Sequence, residues 1–97
     1  MTAYIIAEVD VTDAEAYKAY AAAVPATIAQ YGGRFLVRGG TADVLEGEWP
    51  QRRRVILEFP SMDAARAWWD SPEYEKARAM RRAASKGRLI LLEGYAA

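Results

Sequence analysis

Glu8, Arg38, Arg54 and Glu58 stand at positions where the alternation of β-strands would gather them on one sheet face. Every second side chain of a strand shares a face. Tyr4, Ile6 and Glu8 therefore run together in one apolar stretch, Arg34, Leu36 and Arg38 in a second, and Arg54, Ile56 and Glu58 in a third. A guanidinium offers a flat fork of donors that matches a carboxylate or an enolate, and a carboxylic acid whose pKa is adjusted by burial can move a proton. Arg38 is thus expected to anchor an acidic ligand and Glu58 to act as acid or base. The plainer alternative is that Arg38 and Glu58 pair across neighbouring strands and serve only structure.

A second group of candidates is aromatic. Trp68, Trp69 and Tyr74 could wall a pocket, although helical spacing equally makes them core. Arg81 falls between Tyr74 and Ala77 on the same apolar stripe. It either snorkels to the edge or closes one end of that pocket around a small anion. Glu46 and Trp49, in a long connection, could form a flap over the ligand, or Trp49 could pack across a dimer.

The chain holds neither histidine nor cysteine, which removes imidazole bases, thiolate nucleophiles, sulfur ligands and disulfides. A metal site would rest on carboxylates alone, and no dense acidic loop is present. The glycine pairs Gly32-Gly33 and Gly39-Gly40 suit turns rather than phosphate cradles. Neither a cofactor nor a metal is expected.

These side chains need a scaffold, and the pattern supplies one. Alternation from Ala3 to Val11 predicts a first strand with Ala3, Ile5, Ala7 and Val9 inward. Thr12-Asp13-Ala14-Glu15 reads as a capping box, with Thr12 the cap of a helix that carries Tyr17, Tyr20, Ala21, Val24 and Ile28 on one stripe. Pro25 should kink or interrupt it, and Gly32-Gly33 end it. A second strand follows in RFLVR, with Phe35 and Val37 toward the helices, and a third runs from Arg54 to Phe59. Between them lies GTADVLEGEWPQRR, with a short extended piece around Val44 and Leu45. Ser61 caps one short helix and Ser71-Pro72 opens another, whose apolar face is Tyr74, Ala77, Met80 and Ala84. Gly87 closes that helix before a last strand from Arg88 to about Tyr95.

The order βαββαβ is that of an α+β, ferredoxin-like domain spanning the 97 residues, an antiparallel sheet with helices on one face. Its uncovered face would show Tyr4, Ile6, Leu36 and Ile56 among the charges. That face is too apolar for water, and a two-fold copy is the commonest cover. A homodimer through the open sheet face is expected. The first fifty residues hold seven acids and three bases, the rest six and ten, but the basic excess lies near a helix end, where it matches the dipole. No nucleic acid partner is expected. No apolar segment approaches the roughly 20 residues of a membrane span, and the start lacks a basic leader, so the cytoplasm is the expected location.

Three stretches, YGGRFLVRGG, LEGEWPQRR and LEFPSMDAARAWWDSPEY, together make the chain resemble a bacterial family known only as domain of unknown function thirteen-thirty. The resemblance covers nearly all of the chain and implies the ferredoxin-like dimeric α/β-barrel superfamily. That superfamily includes cofactor-free monooxygenases, isomerases and dehalogenating enzymes, besides proteins of no known activity. The expectation is a dimer that binds or transforms, without cofactor, a small aromatic or acidic metabolite, with Arg38 and Glu58 at the chemistry and Glu46, Trp49, Trp68, Trp69, Tyr74 and Arg81 around it. The other reading is a non-catalytic module whose charged sheet face only specifies dimerisation.

Overall fold

The computed structural model describes residues 1–96, and its element order matches the expected one. Strand β1 (Ala3–Val11) is followed by α1 (Ala14–Gln30), β2 (Arg34–Arg38), β3 (Arg53–Phe59), α2 (Met62–Trp69), α3 (Pro72–Ala84) and β4 (Ser85–Glu93). The strands form one antiparallel sheet in the order β2-β3-β1-β4. The helices cover one face, which makes this a ferredoxin-like α+β fold, and the sheet is open rather than closed into a barrel.

Alternation decides the two faces of β1. Ala3, Ile5, Ala7 and Val9 are buried, whereas Tyr4, Ile6 and Glu8 are half-buried on the other side. Under the helices, Trp68 and Tyr74 stack at 4.1 Å between ring centres, and Phe59 lies 5.5 Å from Trp68. Rings at such spacing gain on the order of 1 kcal/mol beyond the area they bury. They fix the angle at which α2 and α3 leave the sheet. The cap residues Ser61 and Ser71 accept from the backbone N–H groups of Ala64 and Tyr74, as their spacing predicts.

Four local expectations need correction. The N-cap of α1 is Asp13, whose carboxylate accepts from the Ala16 N–H at 3.1 Å. The cap is displaced by one residue because the backbone N–H groups of Thr12 and Asp13 are both spent on the Ala84 carbonyl. Gly87 does not end α3: it lies inside β4, which begins at Ser85 because Ser85 and Gly87 pair with Val11 and Val9. The residues around Val44 and Leu45 form no strand, and Leu45 is 94% exposed. Finally, α1 runs unbroken through Pro25. Proline removes the donor that the carbonyl of the residue four positions earlier would use. That carbonyl belongs to Ala21, and it instead accepts from Arg38 Nη2 at 2.7 Å.

Candidate functional site

Arg38 reaches Ala21 because β2 is bulged. Phe35 pairs with Leu57, yet Val37 pairs with Ile56 and Arg38 with Val55, so Leu36 is an extra residue. A bulge shifts the alternation by one. Arg38 is thereby carried to the helix side, and Val37 to the open side with Ile56. Both orientations are opposite to the simple alternation of RFLVR, which cannot show an inserted residue. On the helix side the Arg38 guanidinium stacks 4.4 Å from the centre of the Phe35 ring.

Glu58 stays on the open face, where it accepts from Arg34 Nε at 2.8 Å. The expected pair of Arg38 with Glu58 is therefore replaced by Arg34 with Glu58, and the two intended partners lie on opposite sides of the sheet. Also on the open face, Glu8 accepts from Arg54 Nε at 3.1 Å and from Arg88 Nε at 2.8 Å. The hydrogen bond from Arg88, helped by Arg54 against the cost of burial, holds the Glu8 carboxyl below its ordinary value. Around these charges lie Ile6, Ile56, Val37, Ile90 and Leu92, with Ile90 56% exposed. Glu8 and Glu58 on this face thus each have an arginine partner.

The helix side is different. Between the sheet and α1 lies a small chamber of about 30 Å³, walled by Tyr17, Tyr20, Trp68 and three arginines, Arg38, Arg53 and Arg81. No aspartate or glutamate is among its described lining residues. Arg53 extends β3 by one residue and faces the helices with Val55, Leu57 and Phe59. Its guanidinium lies 5.6 Å from the centre of the Tyr17 ring, and its buried Nε has no hydrogen-bond partner. Gly39, with φ of +67°, makes this placement possible, since a Cβ there would collide with the Arg53 guanidinium.

Arg81 is only 4% exposed. Its Nε donates to the Tyr74 hydroxyl at 3.3 Å, which is in turn 3.2 Å from the Tyr20 hydroxyl. The Tyr74 oxygen accepts from Arg81, so the chain of bonds lets the Tyr74 O–H donate to Tyr20 and leaves the Tyr20 O–H free to donate onward. Burial first, then the neighbouring Tyr74, raises the Tyr20 pKa well above the ordinary phenol value, which keeps that donor protonated.

The remaining candidates separate. Trp68 lines the chamber, while Tyr74 is fully buried behind Arg81. Trp69 lies apart, lining an open groove against β4 with the Arg78 guanidinium stacked 5.0 Å from a ring centre. Glu46 and Trp49 are exposed and do not line the chamber. The Trp49 indole donates to the Glu46 carbonyl at 3.0 Å and its ring meets Arg54, the open-face arginine, at 5.4 Å. Sequence reasoning thus missed Tyr17, Tyr20 and Arg53 as site residues. Starting the third strand one residue earlier would have placed Arg53 correctly, but the two tyrosines are indistinguishable from core at helical spacing.

The profile of the family described as Domain of unknown function (DUF1330) matches residues 2–95. No curated protein matches the chain by sequence. Among solved structures, a protein of unknown function from Rhodopseudomonas palustris is 26% identical, with a TM-score of 0.78 over 99% of this chain and 84% of that one. A dimeric ferredoxin-like protein of unknown function from Jannaschia is 15% identical, with a TM-score of 0.73 over 97% of this chain and 100% of that one. SnoaB, a cofactor-independent oxygenase from Streptomyces nogalater, is 16% identical, with a TM-score of 0.67 over 99% of this chain and 95% of that one. The two more distant likenesses concern the fold alone.

Proposed function

This chain belongs to the DUF1330 family, and we propose that it acts as a homodimer, joined through its open sheet face, that binds a small acidic organic molecule between sheet and helices. One observation carries the binding proposal: three guanidinium groups and the Tyr20 hydroxyl meet at one chamber with no carboxylate among its described lining residues. Buried cationic donors that meet only neutral acceptors, or none as at Arg53 Nε, are costly, and an anion would satisfy them.

At about 30 Å³ the chamber takes only a head group the size of a carboxylate. The body of the ligand would lie outside it, past Arg38, the exposed member of the three. Arg38 would exchange the Ala21 carbonyl for the ligand, Arg53 would supply its unused Nε–H, and Arg81 with Tyr20 would close the inner end. Glu58 is assigned to the dimer face rather than to proton transfer. The likeness in fold to a cofactor-independent oxygenase supports transformation of the bound molecule as an extension of this reading.

The dimer rests on the open face itself, apolar at its centre and with Glu8 and Glu58 already paired. The dimeric state of the Jannaschia protein supports it. Native mass spectrometry of the purified protein, followed by thermal unfolding with small carboxylates and phenols, tests both parts. A dimer stabilised by a carboxylate, with the effect lost in Arg53→Met, is the expected result. A dimer indifferent to every acid would favour the non-catalytic module, and a monomer at micromolar concentration would remove the assembly.

A further inference from the structure

We infer that the chain carries a second small-molecule site, a groove between α2, α3 and β4 that takes a planar aromatic carboxylate. The groove encloses about 650 Å³, within the range of pockets that hold small organic ligands. The chamber against α1, at about 30 Å³, is a different space that shares Arg81 and Leu89 with the groove as a common wall. The apolar wall of the groove is Trp69, Leu89 and Leu91, and its basic wall is Arg66, Arg81 and Arg82. Asp70 is the carboxylate in its described lining, and the Arg88 guanidinium at its rim is already occupied by Glu8.

Arg81 points to the ligand. It is 4% exposed, and none of the ion pairs among the described residues includes it. Its Nε is held by Tyr74, which leaves the Nη end without a protein acceptor. That end lies toward the groove, because a Cβ on Gly87, a groove residue, would sit 3.2 Å from Arg81 Nη1. Glycine at this point of β4 therefore leaves space for the fork. A buried guanidinium whose fork lacks an anion is best matched by a carboxylate, which accepts two parallel N–H bonds. Arg82 and Arg66 add positive charge at the rim. The indole of Trp69, braced by Arg78, and the aliphatic floor favour a flat, apolar body behind the acid group.

Benzoate and its neutral analogue benzamide separate charge from shape. In NMR titrations of the full chain, benzoate is expected to shift the Trp69 indole N–H and the amides of Gly87 and Leu89, with benzamide at least about tenfold weaker. Arg81→Met should weaken benzoate about tenfold or more. Arg82→Ala, at an exposed position, should weaken it a few-fold, and Gly87→Ala should do the same by displacing the fork, so the test survives if Arg81→Met fails to fold. Arg38→Ala and Arg53→Met should leave these shifts unchanged, which separates the groove from the chamber. Equal shifts from benzoate and benzamide, shifts abolished by Arg38→Ala, or no shift of Trp69 at millimolar benzoate would each overturn the inference, whatever becomes of the chamber.

Discussion

Replacing Pro25 with alanine should make the hydrogen bond of Arg38 dispensable to stability. In the native chain Arg38 Nη2 donates at 2.7 Å to the Ala21 carbonyl, the group that a residue other than proline at position 25 would bond through its own N–H. Arg38→Ala then removes a charge-assisted bond, worth about 1.5 kcal/mol for an exposed donor, and also the stacking on Phe35 at 4.4 Å, worth about 0.5–1 kcal/mol. In the Pro25→Ala background the helix supplies the missing donor, so Arg38→Ala should cost only the stacking. The cycle predicts a coupling of about 1.5 kcal/mol, the worth of the bond. Pro25→Ala alone should stabilise by up to about 3 kcal/mol, the interior penalty of proline, reduced by roughly 0.4–1 kcal/mol for the freer unfolded chain. Urea unfolding of the four proteins at one protein concentration, with a common slope, reads all three numbers. Costs that add within about 0.3 kcal/mol would refute the account of how α1 passes through Pro25. The same variant tests the chamber: freeing Arg38 from Ala21 should strengthen carboxylate binding, not weaken it.

Ile90→Asp alters a side chain 56% exposed in one subunit, so it should leave the monomer folded while splitting the dimer, read by sedimentation at micromolar concentration. An intact dimer would move the interface away from the open sheet face. Tyr20, whose pKa is raised chiefly by burial, keeps its proton in the folded state while the unfolded state releases it above the ordinary value of 10.0. The Tyr20 contribution to stability should be flat below pH 10 and fall above it by up to about 1.4 kcal/mol per pH unit, and Tyr20→Phe should remove that fraction of the slope. Glu8, with its pKa lowered first by the hydrogen bond from Arg88, contributes stability that is complete above the ordinary carboxyl value of 4.5 and is lost as pH falls through its lower folded value. Acid titration of stability should therefore be shallower in Glu8→Gln than in the native chain.

Most of the fold was legible because period and punctuation agree: β1, α2 and α3 stand where alternation and the caps Ser61 and Ser71 place them. The site was less legible, for two physical reasons. A bulge leaves no mark in the alternation of RFLVR, yet it exchanges the faces of Val37 and Arg38. Burial of a cation is also invisible to spacing: Arg81 was noticed on the apolar stripe, but only coordinates show that no carboxylate meets it among the described residues. The extended piece around Val44 failed for a third reason, since β-propensity without a partner strand does not make a strand.

The two faces of the sheet treat charge in opposite ways, and that contrast separates assembly from binding. On the open face Glu8 and Glu58 are each satisfied by arginines of the same chain, so covering that face with a second copy leaves neither of them unpaired. Ion pairs made in advance add little affinity but lower the cost of desolvation, and they penalise a partner that would bring charges into the wrong register. On the helix face Arg38, Arg53 and Arg81 make no ion pair among the described residues. Arg38 takes a backbone carbonyl that Pro25 sets free, Arg53 leaves Nε unused, and Arg81 takes a phenol. Stability alone would favour an apolar residue at position 81, because a buried guanidinium with no carboxylate partner among the described residues carries an uncompensated desolvation cost. An anion from outside the chain, as proposed above, would offset that cost.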